Sequence, residues 1–68
     1  MEASQVKKIL EAALLAAREP LTLLELSRMF DEELSGETLR KLLDELREEW
    51  SARPAELLPL ASGWRFRT

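Results

Sequence analysis

The chain has 68 residues, 46% of them hydrophobic and 34% charged, with 13 acidic against 10 basic side chains and a formal net charge of −3. Those proportions belong to a folded domain rather than a disordered tail, and no apolar run approaches the roughly 20 residues needed to span a bilayer. Cysteine and histidine are both absent, so disulfides and ordinary zinc sites are excluded as staples, and a core near the lower size limit must hold the fold.

The N-terminus, MEASQVKK, has no apolar core flanked by a cleavage site. No secretion signal is visible, and a cytoplasmic location is expected. Val6, Ile9, Leu10, Ala13, Leu14 and Ala17 recur at the spacing of one helical face and predict a first helix over about Ala3–Ala17. Lys7, Lys8 and Glu11 are assigned to the other side, with Ser4 or a neighbour as the cap and Pro20 as the stop. Leu15 departs from the pattern, lying with Lys8 and Glu11 roughly opposite Val6.

Thr22 with Glu25 three residues on reads as a capping box and opens a second helix over about Leu23–Phe30. Leu23, Leu26, Met29 and Phe30 are its expected buried residues; Leu24 points away, near Arg28. After a polar turn at Asp31–Leu34, Ser35 and Thr38 start a third helix. Its apolar stripe is Leu39, Leu42, Leu43, Leu46 and Trp50. Arg40–Asp44 and Lys41–Glu45 are expected i, i+4 ion pairs. Pro54 ends helical structure. In the tail, Glu56–Leu60 is short and apolar, Ala61–Gly63 is a turn, and Trp64–Arg67 alternates strictly, as in the second strand of a hairpin. Pro59 cannot donate to a ladder, so its strand is an edge or is interrupted there.

Three helices, with a short turn between the second and third, followed by a hairpin give an α+β winged helix-turn-helix. A three-helix bundle with an irregular tail is the alternative, against which the Trp64–Arg67 alternation argues. In a DNA reader the third helix enters the groove, yet Gly36–Ser51 holds five acids (Glu37, Asp44, Glu45, Glu48, Glu49) against three bases (Arg40, Lys41, Arg47). Affinity for DNA comes largely from neutralising phosphates, so this helix is repelled rather than steered in. Its acidity fits either a solvated face or a protein partner.

From Ala52 to Thr68, Arg53, Arg65 and Arg67 outweigh Glu56; they either touch phosphates weakly or keep an edge strand soluble. Trp50, Trp64 and Phe66 have the spacing of core residues rather than of a base-stacking platform. Without His, Cys or Tyr, and with no partner for any serine, no catalytic constellation is visible. The Asp31-Glu32-Glu33 cluster lacks the twelve-residue pattern of an EF-hand and reads as a solvated turn. No metal or cofactor is expected.

Several segments in order resemble the N-terminal domain of bacterial segregation and condensation protein B. They are Glu11-Ala12-Ala13-Leu14-Leu15-Ala16, then Arg18-Glu19-Pro20-Leu21-Thr22, the Leu39–Trp50 helix, and the close Ser62-Gly63-Trp64-Arg65-Phe66-Arg67-Thr68. The chain departs from the family pattern at Arg18, where Gly is frequent, and at Leu24, where a polar residue is usual. The resemblance implies a non-enzymatic, chromosome-associated homodimer, an accessory subunit of the structural maintenance of chromosomes complex. It also implies binding of the kleisin subunit, segregation and condensation protein A, by the full-length protein. Residues 1–68 are then a single winged-helix domain, expected to be the N-terminal domain of a longer protein with a second winged helix.

Leu15, which aligns with a family Phe, and Leu24 are the candidate dimer contacts. The alternative is a regulator's DNA-binding domain using Arg40, Lys41, Arg65 and Arg67, with DNA binding at most weak and non-specific. An enzyme would need a further domain to bring the chemistry.

Overall fold

A computed structural model describes residues 2–31 and 33–67; Glu32 of the acidic turn and the terminal Thr68 lie outside them. The elements run α1 (Ala3–Ala16), α2 (Leu23–Arg28), α3 (Gly36–Glu49), β1 (Glu56–Leu60) and β2 (Gly63–Arg67). This is the winged helix-turn-helix order expected from the chain.

Each helix starts where a side chain satisfies a free backbone N–H. At α1 the cap is Glu2 rather than Ser4, its N–H donating to the Gln5 side chain at 3.3 Å. At α2 the box forms reciprocally. The Glu25 N–H donates to Thr22 Oγ1, and the Thr22 N–H donates to the Glu25 carboxylate, both at 3.1 Å. Such a cap stabilises a helix by about 1 kcal/mol, which matters for a helix of six residues. Ser35 caps α3, accepting from the Thr38 N–H at 3.1 Å.

Helix ends fall a residue or two short of the periodicity. Ala17 is already extended, at φ −72° and ψ 136°. Beyond Arg28 the chain turns through Asp31, whose φ of 54° is left-handed, a conformation Asp tolerates better than most residues.

One apolar cluster joins every element. Val6, Leu10 and Leu14 come from α1, Leu26 and Phe30 from α2 and the turn after it, and Leu39, Leu42, Leu43 and Leu46 from α3. Leu57 and Trp64 complete it from the hairpin. Trp50 and Phe66 pack at its margin with ring centroids 4.7 Å apart, so the aromatics are core and core margin, as their spacing predicts.

Two predicted core residues are not there. Ile9 remains 39% exposed and Met29 44%. The buried line on α1 is Val6–Leu10–Leu14, and Ile9, one residue before Leu10, stands about 100° round the helix from it. On α2 only Leu26 is fully enclosed; Met29, the residue at the helix's C-terminal end, falls on its flank.

Electrostatics also departs from the helical periodicity. Among the described residues the ion pairs are Lys7 with Glu45 at 3.4 Å, Lys7 with Glu49, and Arg53 with Glu11 at 3.8 Å. Arg40–Asp44 and Lys41–Glu45 do not close; Glu45 pairs instead with Lys7 on the neighbouring helix. Lys7, assigned to the solvent side, therefore bridges α1 to α3 with a side chain only 18% exposed. The hydrogen bond to Glu49 raises its pKa above the ordinary lysine value; Glu45 adds to this and partial burial opposes it.

The hairpin pairs Leu57 with Phe66 and Pro59 with Trp64 on its inner side. Glu56–Arg67, Leu58–Arg65 and Leu60–Gly63 lie on the outer side. Leu21, in the connector after α1, makes an isolated antiparallel bridge to β2 that sequence patterning does not reveal. Its N–H donates to the Trp64 carbonyl at 2.9 Å, and its carbonyl accepts from the Trp64 N–H at 2.7 Å. Because both Trp64 groups face Leu21, its register partner Pro59 points its own nitrogen to the open edge. Pro59 thus costs the ladder nothing, and β1 is an uninterrupted edge strand.

Gly63 adopts φ +129°, and a Cβ there would lie 2.5 to 2.9 Å from the Leu21 and Thr22 backbone. Gly63→Ala is expected to cost at least about 1–3 kcal/mol in urea or thermal denaturation. Gly36→Ala, with nothing within 4 Å of the new Cβ, should be neutral or stabilising by up to about 1 kcal/mol.

For Lys7, a raised folded-state pKa gives stability that is complete below the unfolded pKa and lost as pH rises through the folded one. Lys7→Gln should lower the urea midpoint at neutral pH. The gap to the unsubstituted chain should close only as pH climbs past the ordinary lysine range.

Candidate protein-interaction surfaces

The amphipathicity that builds the core decides which apolar groups are left outside. On α1, burial of Val6, Leu10 and Leu14 turns Ile9, Ala12, Leu15 and Ala16 outward; all four are exposed. They recur at i, i+3, i+6 and i+7, so they form one strip along the side away from α3 rather than scattered points. Leu15, about 140° round from Leu10, is 53% exposed. The position expected from its break in periodicity is the one it occupies.

Leu24 is 55% exposed on α2. It stands on a different helix from the α1 strip. Ile9 is the strip residue that sequence reasoning missed. Its face could have been found by giving weight to the bulkier Val6–Leu10–Leu14 line, which excludes Ile9 from its centre.

The four candidate nucleic-acid contacts do not come together. Arg40 and Lys41 line a shallow depression on α3 with Glu37, Asp44, Glu45 and Glu48, where four carboxylates surround two cations. Arg65 and Arg67 line a separate one on the hairpin with Leu58 and Leu60. Arg53, counted with the basic tail, is drawn away from both, pairing with Glu11 and lying over the Trp50 ring at 4.4 Å. That contact is a cation–π interaction.

A continuous basic stripe, the electrostatic requirement for tracking a phosphate backbone, is absent among the described residues. They also contain no cluster of three or more potential metal ligands and no helix long and apolar enough to cross a membrane. The surface offers apolar contact and patches of opposite charge, which is the chemistry of protein–protein association.

Similarity to known proteins points the same way. A family model described as "Segregation and condensation complex subunit ScpB" matches residues 8–68. A "Segregation and condensation protein B homolog" from Coxiella burnetii (strain RSA 493 / Nine Mile phase I) is 44% identical over 62 residues, covering 88% of this chain and 30% of that protein. A crystal structure of a conserved hypothetical protein from Chlorobium tepidum matches with a TM-score of 0.84 at 29% identity, over 97% of this chain and 42% of that one. The chain therefore spans about three tenths of the curated relative's length. With the family's pattern carried over nearly all of its residues on the same three-helix and hairpin frame, this chain belongs to the segregation and condensation complex subunit ScpB family.

Proposed function

We propose that this chain is a non-enzymatic homodimerising module, the N-terminal winged helix of an accessory subunit that acts in chromosome condensation and segregation. The observation that carries the dimer is the outward apolar strip of α1, Ile9, Ala12, Leu15 and Ala16, exposed on a domain too small to be indifferent to further burial. A two-fold pairing of α1 with α1 of a second copy covers the same strip on both, as a closed dimer requires. Leu24 extends this contact in the reading, with a smaller share because it stands on another helix.

In the whole protein, the proposed setting is the cytoplasmic chromosome, with the kleisin subunit, segregation and condensation protein A, as partner. The acidic outer face of α3 supports protein contacts over a DNA-reading role. The absence of His, Cys and Tyr from the chain supports the non-enzymatic reading.

Sedimentation over a concentration series tests the dimer, which is expected at tens of micromolar and below; a monomer throughout that range overturns it. Leu15→Glu should weaken the dimer by at least about 30-fold, since it places a charge in the desolvated contact. Its circular dichroism should keep the same helix content, because Leu15 is exposed in the single chain. Leu24→Glu should have a smaller effect, and an unchanged mass for Leu15→Glu removes α1 from the interface.

A further inference from the structure

We propose that the outer face of the β-hairpin is a docking site for an acidic peptide segment that carries apolar side chains. The strand register places Leu58, Leu60, Arg65 and Arg67 on the face turned away from the helices. Together they line a depression of about 360 Å³. Leu60 is 45% exposed there.

Among the described residues no carboxylate lies within 4.0 Å of either guanidinium, although Glu56 stands opposite Arg67 in the register. The two arginines leave the same strand two residues apart, from Cα positions about 7 Å from each other. That is within reach of two carboxylates of one short segment. Arg is well suited to holding a carboxylate through paired hydrogen bonds, and the adjacent leucines supply an apolar floor that excludes water around those bonds.

Charge complementarity selects the occupant. The face carries Arg65 and Arg67 against the single Glu56, and the leucines favour a partner with apolar groups as well as acids. A phosphate backbone gains nothing from Leu58 and Leu60 and meets only two cations, too few for more than a marginal counterion effect. Addition of the partner as a further strand on β1 is disfavoured, because Pro59 removes one donor from that short open edge. Recognition therefore runs through side chains on the face rather than through a backbone ladder. The site is distinct from the α1 strip and stands whether or not the chain dimerises.

Fluorescence anisotropy with a labelled peptide of Glu-Glu-Leu-Leu repeats, at low salt, tests the proposal on the 68-residue chain. Binding in the range of tens to hundreds of micromolar is expected, at least about fivefold tighter than for a Lys-Lys-Leu-Leu peptide. Arg65→Gln and Leu60→Ser should each weaken it about fivefold, while Arg40→Gln, in a depression lined by α3 residues alone, leaves it unchanged. Equal binding of the two peptides, or binding indifferent to Arg65→Gln, overturns the proposal. So does random duplex DNA bound more tightly than the acidic peptide and lost on Arg65→Gln, which assigns the arginines to phosphate. Sedimentation of the same variants separates the two readings, since Arg65→Gln should leave the dimer intact.

Discussion

The pair of backbone hydrogen bonds between Leu21 and Trp64 is the constraint on which this small fold turns. A two-stranded ribbon needs a packing partner to be stable in water, and the hairpin packs Leu57 and Trp64 into the core it shares with the helices. The two bonds add a backbone tie between the connector after α1 and β2 at Trp64, which is 7% exposed. The closeness of that joint leaves no room for a side chain at Gly63. It also orients β2 so that Pro59, on the opposite strand, faces the one edge where a missing N–H is harmless. One local contact thereby sets the position of the wing, the composition of the core and the closure of the sheet edge.

Around that joint the stabilising burial is almost entirely aliphatic. Each fully enclosed leucine contributes on the order of 1.5–3 kcal/mol relative to its exposed state, and α3 alone buries four leucines. Among the described residues no polar or charged side chain is buried, so the core carries no desolvation debt. The charged groups act at its rim. Lys7 closes α1 against α3, and Arg53 spans from Glu11 to the Trp50 ring, which itself packs against Phe66 at a tilt of 57°. Both contacts link residues far apart in sequence and hold the helices and the tail in one frame.

That frame divides the surface by chemistry. The acidic face of α3 turns a helix that has the shape of a DNA reader away from phosphates. The exposed large apolar groups stand on α1 (Ile9 and Leu15), on α2 and its end (Leu24 and Met29) and on the outer hairpin (Leu60). This distribution supports the proposed protein contacts, and the chain belongs to a family described as segregation and condensation complex subunits. The shape and the charge conflict only if the fold is assumed to imply DNA binding, and a fold does not by itself specify function.

The capped starts of α2 and α3, the leucine stripe of α3 and the alternation of Trp64–Arg67 were legible in the chain because they rest on interactions within a few residues: caps at i+3, faces at i+4, strand sides at i+2. The same local arithmetic singled out Leu15 as an outward residue. What only the tertiary structure decided depends on which distant element comes alongside. Leu21 forms a β-bridge because Trp64 arrives beside it, and Glu45 pairs with Lys7 of α1 rather than with Lys41. Ile9 faces outward because α1 rests on α3 along the Val6–Leu10–Leu14 line. Those contacts span tens of residues along the chain, and periodicity, which reports only that a face is apolar, cannot say what will cover it or leave it bare.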